Sequence, residues 1–290
     1  MYQLGLEIAL MKTFAIPTIS RILLSTRQFV TNTSRRAEDT DLLLMEITET
    51  YARIENEKQR NPELDELQIL KQYARSTEAI QRMNELHGKY NILNDDYRYT
   101  LAVMIIEPIR WINKYEYRSL DQREINAYFR VWYDVGTAMG IKGIPKSIEK
   151  LEAFIKHYEQ TNMVYHPANS RIMEAIVGYL LERFPRWMRP NVRELVPCSL
   201  ESRVIDAFRL DHPGWLLQKL FDGGFYLRGF ILRHLFLPRK YHLLRTPFYP
   251  TKEGKYVPVY CLSEPEYPEG YAISCLGPER FCPVKRSSSI

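Results

Sequence analysis

The sequence predicts an all-α protein: one multi-helix, bundle-like domain around a buried cavity large enough for a cofactor, followed by an extended, proline-rich tail. Three observations lead there. Apolar residues recur at three- and four-residue spacing through most of the first 237 positions. Strand–helix alternation and internal repeats are both absent, which excludes a wound α/β sheet and a solenoid. Prolines 247, 250, 258, 265, 268, 278 and 283 then end regular helix. The expected division is a helical domain over 1–237 and a tail over 238–290 packed on it, with 285–290 disordered.

Composition narrows the class. A chain of 290 residues with 45% hydrophobic and 12% aromatic content is ordered and can bury a sizeable core. The net charge of +5 comes from cations spread along the chain, so a nucleic-acid footprint is not expected. The last third is the more basic and aromatic, with Arg228, Arg233, Arg239, Lys240 and Arg245. That suits peripheral contact with a negative membrane surface. Cys198, Cys261, Cys275 and Cys282 form no Cys-x-x-Cys motif. Covalent haem attachment is thereby excluded, and for Cys261, Cys275 and Cys282 in the tail free thiols in a reducing compartment are expected. No run of ~18 uncharged apolar residues marks a spanning helix. The apolar start, Met1 to Leu24, carries Glu7, Lys12, Pro17 and Arg21 and lacks a signal-peptide layout.

Taken in order, residues 1–30 read as two short helices split at Ile16-Pro17. A helix capped near Ser34 follows, with Leu42, Leu43, Leu44, Met45 and Ile47. The charged stretch 51–75 reads as a solvated, partly helical excursion broken at Asn61-Pro62. Tyr97 to Ile112 is apolar all round, so this helix is central, and Pro108 bends it. Further helices are expected over 121–140, ended by Gly140, over 145–157, over 168–184, over 191–206 and over 212–235. His166, in the loop Tyr165 to Asn169, reads as a turn residue.

Three polar features interrupt the apolar pattern. Ser76 to Tyr90 forms an amphipathic helix with Ile80, Met83 or Asn84, and His87 on one face; Arg75, Gln81, Arg82 and Glu85 lie mainly on the other. His87 then sits at its inner end, with Gly88 as a stop. An imidazole facing an apolar interior needs a partner, which can be a side chain, a water or a metal. Arg36 and Thr40 share a stripe with core leucines; on spacing alone they read as a cap and a solvated arginine at a helix start. Glu107 and Arg110 are three apart and can pair. The pair either ties helices together or holds a charged group such as a propionate.

Several pieces, in this order, resemble a known family. They are Ala15-Ile-Pro-Thr-Ile-Ser20, Arg36-Ala-Glu-Asp-Thr40, Arg82-Met-Asn-Glu-Leu-His87-Gly, Asp96 to Leu101, Glu107-Pro-Ile-Arg-Trp111, Phe129-Arg-Val-Trp132 with Met139-Gly140, Tyr158-Glu159, Tyr267-Pro-Glu-Gly-Tyr271 and Leu276-Gly-Pro278. The family is the catalytic domain of the ER-bound oxygenases of fungal natural-product pathways (mycophenolic acid type), with the latex-clearing rubber oxygenases as more distant members. The resemblance implies a helical oxygenase domain over 1–237 that holds non-covalent haem b, with His87 as the axial metal ligand. It places Arg36 and Thr40 on the catalytic side, with Asp39 where the rubber enzymes carry a lysine. Glu107 and Arg110 become candidates for cofactor binding. The implied activity is oxidation of a lipophilic, prenyl-like or acyl, substrate by dioxygen, including oxidative C=C cleavage. Fungal members carry a membrane helix upstream of the Ala-Ile-Pro segment. This chain starts too late to contain one, so an intracellular location, cytoplasmic or on the ER membrane, is expected. The rival reading is a non-enzymatic helical lipid-binding or membrane-associated protein in which His87 is a core residue. A di-iron or non-haem centre would need Glu-x-x-His pairs, which the sequence lacks.

Overall fold

The computed structural model describes residues 1–261 and 264–283; the expected disorder at 285–290 lies outside the described residues. Among the described residues there are thirteen α-helices and no strand, as an all-α class requires. In chain order they are α1 (Tyr2–Phe14), α2 (Pro17–Ser25), α3 (Gln28–Thr31), α4 (Thr33–Thr48), α5 (Thr50–Arg60), α6 (Glu66–His87) and α7 (Asn94–Tyr115). After them come α8 (Gln122–Ala138), α9 (Ile148–Asn162), α10 (Pro167–Glu182), α11 (Arg189–Leu195), α12 (Ser202–Phe208) and α13 (Trp215–Leu235). The chain forms two compact units, one of residues 1–31 and 92–238, the other of residues 32–91 and 239–290.

In the first unit α7 is the central helix, and Leu101, Ala102, Val103, Ile105 and Ile106 are all buried. Helix α1 packs along it closely enough that a Cβ on Gly5 would lie 2.5 Å from Pro108 Cα. Pro108 lacks an amide hydrogen, so the carbonyl of Met104 one turn earlier loses its helical donor. The Tyr128 hydroxyl, from α8, donates to that carbonyl at 2.9 Å. Helices α9 and α10 pack on the same core. His166 is confirmed as a turn residue: it caps α10, its Nδ1 accepting from the Ala168 amide at 3.1 Å. Pro17 opens α2 at 93° to α1, and no single described helix is long and apolar enough to cross a membrane.

In the second unit α4, α5 and α6 pack together, and the tail folds back on them. The tail is largely irregular, with short 3-10 turns at Ile273–Cys275 and Glu279–Phe281 and an isolated bridge between Tyr256 and Tyr271.

Four expectations are corrected. The stretch 51–75 is not a solvated excursion, because Arg53, Asn56, Gln72 and Arg75 are buried. Arg75 and Arg82 belong to the buried face of α6, which begins ten residues earlier than the pattern from Ser76 suggested. The region read as one helix over 191–206 is α11, a 3-10 turn and α12. Cys275 and Cys282 form a disulfide and are not free thiols, whereas Cys198 and Cys261 are free. The two bonded cysteines are seven positions apart, so the link closes only a local loop of the tail.

Candidate functional site

Arg36, Asp39 and Thr40 lie on α4, and His87 is the last residue of α6. All four belong to the second unit, where the two helices pack. Spacing of four on a helix puts Arg36 and Thr40 one above the other. Arg36 Nη1 donates to Thr40 Oγ1 at 2.6 Å, and that hydroxyl donates to the Arg36 carbonyl at 2.9 Å. Arg36 is thus an oriented, desolvated cation and not a solvated one. Burial lowers its pKa, against the opposing charge of Asp39 and the Tyr90 hydroxyl.

The imidazole of His87 responds to the same surroundings. Burial, and then the positive charge of Arg36, push its pKa down to about 4, so the ring is neutral at physiological pH. A neutral ring keeps a lone pair available, which a metal ligand requires. Gly88 ends α6 in a right-handed conformation, so its position does not depend on glycine's conformational freedom.

Asp39 is bound into the fold. It accepts from the Tyr267 hydroxyl and lies 3.6 Å from Arg35 Nε, while the Arg35 guanidinium sits 4.2 Å over the Tyr267 ring. Burial raises the pKa of its carboxyl, and the hydrogen bond from Tyr267 is the main opposing effect. The arrangement therefore makes Asp39 a link between α4 and the tail. The tail also clamps α6 beside His87. Arg82 donates to the Leu276 carbonyl at 2.9 Å, and Gly277, at φ 105°, packs on Leu86 so closely that a Cβ would lie 2.7 Å from its Cδ1.

Deeper in this unit, Glu46 is the hub of a buried network. Arg75 meets it through two hydrogen bonds at 2.6 and 3.0 Å, Tyr271 donates at 2.6 Å, and Arg53 lies 3.3 Å away. Arg75 reaches on to the carbonyls of Pro247 and Phe248, and Arg53 to Gln72. The sequence reading did not assign these residues to the site. The partners of Glu46 are far apart in the chain, and only the closing Tyr267 to Tyr271 motif pointed to the tail.

Glu107 and Arg110 do pair, at 3.1 Å, in the first unit. They belong to a larger cluster. Lys12 Nζ lies 3.0 Å from Glu107, 3.0 Å from Glu159 and 3.2 Å from Glu201, and Tyr99 donates to Glu159 at 2.9 Å. Burial alone would lower the pKa of Lys12, but the three carboxylates outweigh it and raise it. The pair is thus part of a buried ion cluster joining α1, α7, α9 and the start of α12. Among the described residues no group of three or more His, Cys, Asp or Glu side chains could hold a metal ion.

Residues 4–223 match the family model described as ER-bound oxygenase mpaB/B'/Rubber oxygenase, catalytic domain. The ER-bound oxygenase mpaB' of Penicillium brevicompactum is 26% identical over 95% of this chain and 73% of its own length. The ER-bound oxygenase mpaB of the same organism is 26% identical over 80% of this chain, which spans about half (53%) of that relative. The mpaB of Penicillium roqueforti (strain FM164) is 26% identical over 69% of this chain and 67% of its own length. No solved structure matches. With three quarters of its length matched, this chain belongs to the family of ER-bound oxygenase and rubber oxygenase catalytic domains, and is an oxygenase-family enzyme.

Proposed function

We propose that the protein is a haem b-dependent oxygenase that acts on a lipophilic, prenyl-like or acyl, substrate. The observation that carries this is the pairing of α4 and α6, which brings the Arg36–Thr40 couple close enough to His87 for the guanidinium charge to act on the imidazole. The donor set favours a haem over a bare ion. A porphyrin needs one axial protein donor, whereas a bare ion needs several, and no such group occurs among the described residues.

When bound, haem supplies the redox chemistry of dioxygen. The rest falls to the chain's own groups. His87 would hold the iron through its neutral ring. Arg36 presents positive charge that Thr40 keeps in one rotamer, so it stabilises negative charge without reorganising first. Asp39, held by Tyr267 and Arg35, balances that cation.

The lipophilic class rests on the family name, since a rubber oxygenase acts by that name on a hydrocarbon polymer. In oxidative C=C cleavage the two atoms of dioxygen would end on the two carbons, with no further reductant. An association with the ER membrane is proposed on the same footing, from the relatives' names.

The test is the visible spectrum of the purified protein after expression with added haem. A Soret band is expected, lost in His87→Ala and kept, with altered oxygen binding, in Arg36→Ala. A colourless protein that co-purifies with lipid would overturn the haem reading and favour a lipid-binding role.

A further inference from the structure

We propose that the outward face of α13 is a membrane-binding surface that lies in the plane of a bilayer containing anionic phospholipid. One face of α13 is already used. Phe221 and Phe225 pack edge-on against Trp111, Phe225 also meets Tyr115 at a tilt, and Gly229 lets the helix approach the Tyr115 carbonyl, where a Cβ would lie 3.0 Å away. The opposite face is as apolar as the packed one. Leu216, Leu220, Leu227 and Phe230, spaced four, seven and three apart, form one stripe, and each is more than half exposed. Trp215 begins the helix at 78% exposure, and Leu237 follows its end at 91%. A surface helix of a soluble protein ordinarily reverses this pattern, and an exposed apolar stripe this long marks an interaction surface.

Charge selects the occupant. Within the first unit, residues 215–238 carry Lys219, Arg228 and Arg233 against a single carboxylate, Asp222; Arg228 is engaged by Glu116 at 3.2 Å, while Lys219 and Arg233 are exposed. The Asp222 carboxylate points inward, where Tyr115 and Lys114 donate to it. The exposed face therefore offers leucine, phenylalanine and tryptophan beside the exposed cations Lys219 and Arg233, and no exposed residue of α13 is an anion. An interfacial helix on an acidic leaflet has this composition, with apolar side chains among the acyl chains and long basic ones at the phosphates. At 21 residues, α13 would extend roughly 30 Å along the surface. The proposal does not depend on the haem reading, because the surface lies in the first unit and is assayed with or without haem.

Co-sedimentation with vesicles tests it. Full-length protein should bind vesicles of phosphatidylcholine mixed with phosphatidylserine, bind pure phosphatidylcholine more weakly, and lose affinity at high salt. Leu220→Asp with Leu227→Asp should abolish binding while leaving the circular dichroism and melting temperature unchanged, because both side chains face outward. Arg233→Gln should weaken binding to the acidic vesicles about fivefold. Failure of the wild-type protein to bind either vesicle, or equal binding by the double variant, overturns the proposal. So does a dimer in sedimentation velocity that the double variant dissociates, which would make the face an interface between copies.

Discussion

Tyr115 illustrates how a single proton can matter to this fold. Its ring is buried against α13 and its hydroxyl donates to Asp222. Burial, then that hydrogen bond, push the phenol up to about 12. The folded state thus holds the proton more tightly than the unfolded chain does. The stability this gives is fully present below about pH 10 and is lost as the pH rises towards about 12. Lys114 and nearby water screen the effect, so a loss of about 1–2 kcal/mol is expected. Urea unfolding across this range should show a larger loss in wild type than in Tyr115→Phe, the difference being the contribution of this phenol. Identical pH dependence in the two proteins would refute the assignment. The consequence reaches beyond stability, because the same hydrogen bond keeps the one carboxylate of α13 off its outward face.

At the scale of the element, α7 shows how a helix accommodates a proline in its middle. The carbonyl that Pro108 leaves without a donor is satisfied by Tyr128. Replacing Tyr128 with Phe leaves a carbonyl in a buried turn without its partner and should cost about 1–2 kcal/mol in chemical denaturation. A change within a few tenths would show that water replaces the hydroxyl. Much of this element was legible in the sequence, since an apolar run from Tyr97 to Ile112 can only be a central helix and its proline is visible. The Tyr128 partner was not legible, because it sits on another helix and its ring looks like any other core aromatic. Helices α5 and α6 were misread for the same kind of reason. Arg53, Arg75 and Arg82 have the composition of a solvated face, and only their distant acceptors, Glu46 and the carbonyls of Pro247, Phe248 and Leu276, make them interior residues. Of the candidate site, Arg36, Thr40 and His87 were named by the family resemblance, since on spacing alone Arg36 and Thr40 read as a cap and a solvated arginine. Asp39's bond to Tyr267, across 228 residues, could not be read from either.

At the scale of the molecule, the second unit is closed by a segment outside the region that matches the family model, which ends at residue 223. Residues 239–283 supply Arg245 to Glu38 and Asp41, Thr246 to Glu49, Tyr267 to Asp39 and Tyr271 to Glu46. The helices that carry the candidate site are therefore held by a tail that arrives last in the chain. Its attachment is polar, so it depends on geometry more than on area. Glu46 is the most exacting point, because it is fully buried and balances two buried guanidiniums. Removing it in Glu46→Ala leaves Arg53 and Arg75 without their counter-charge, at an expected cost of about 3–5 kcal/mol. Hydrogen exchange should rise in 242–276 and in α6 together, since Arg75 and Tyr271 release the tail from the helix at once. Exchange confined to α4, or a loss below about 1 kcal/mol, would mean that the tail is held without this network.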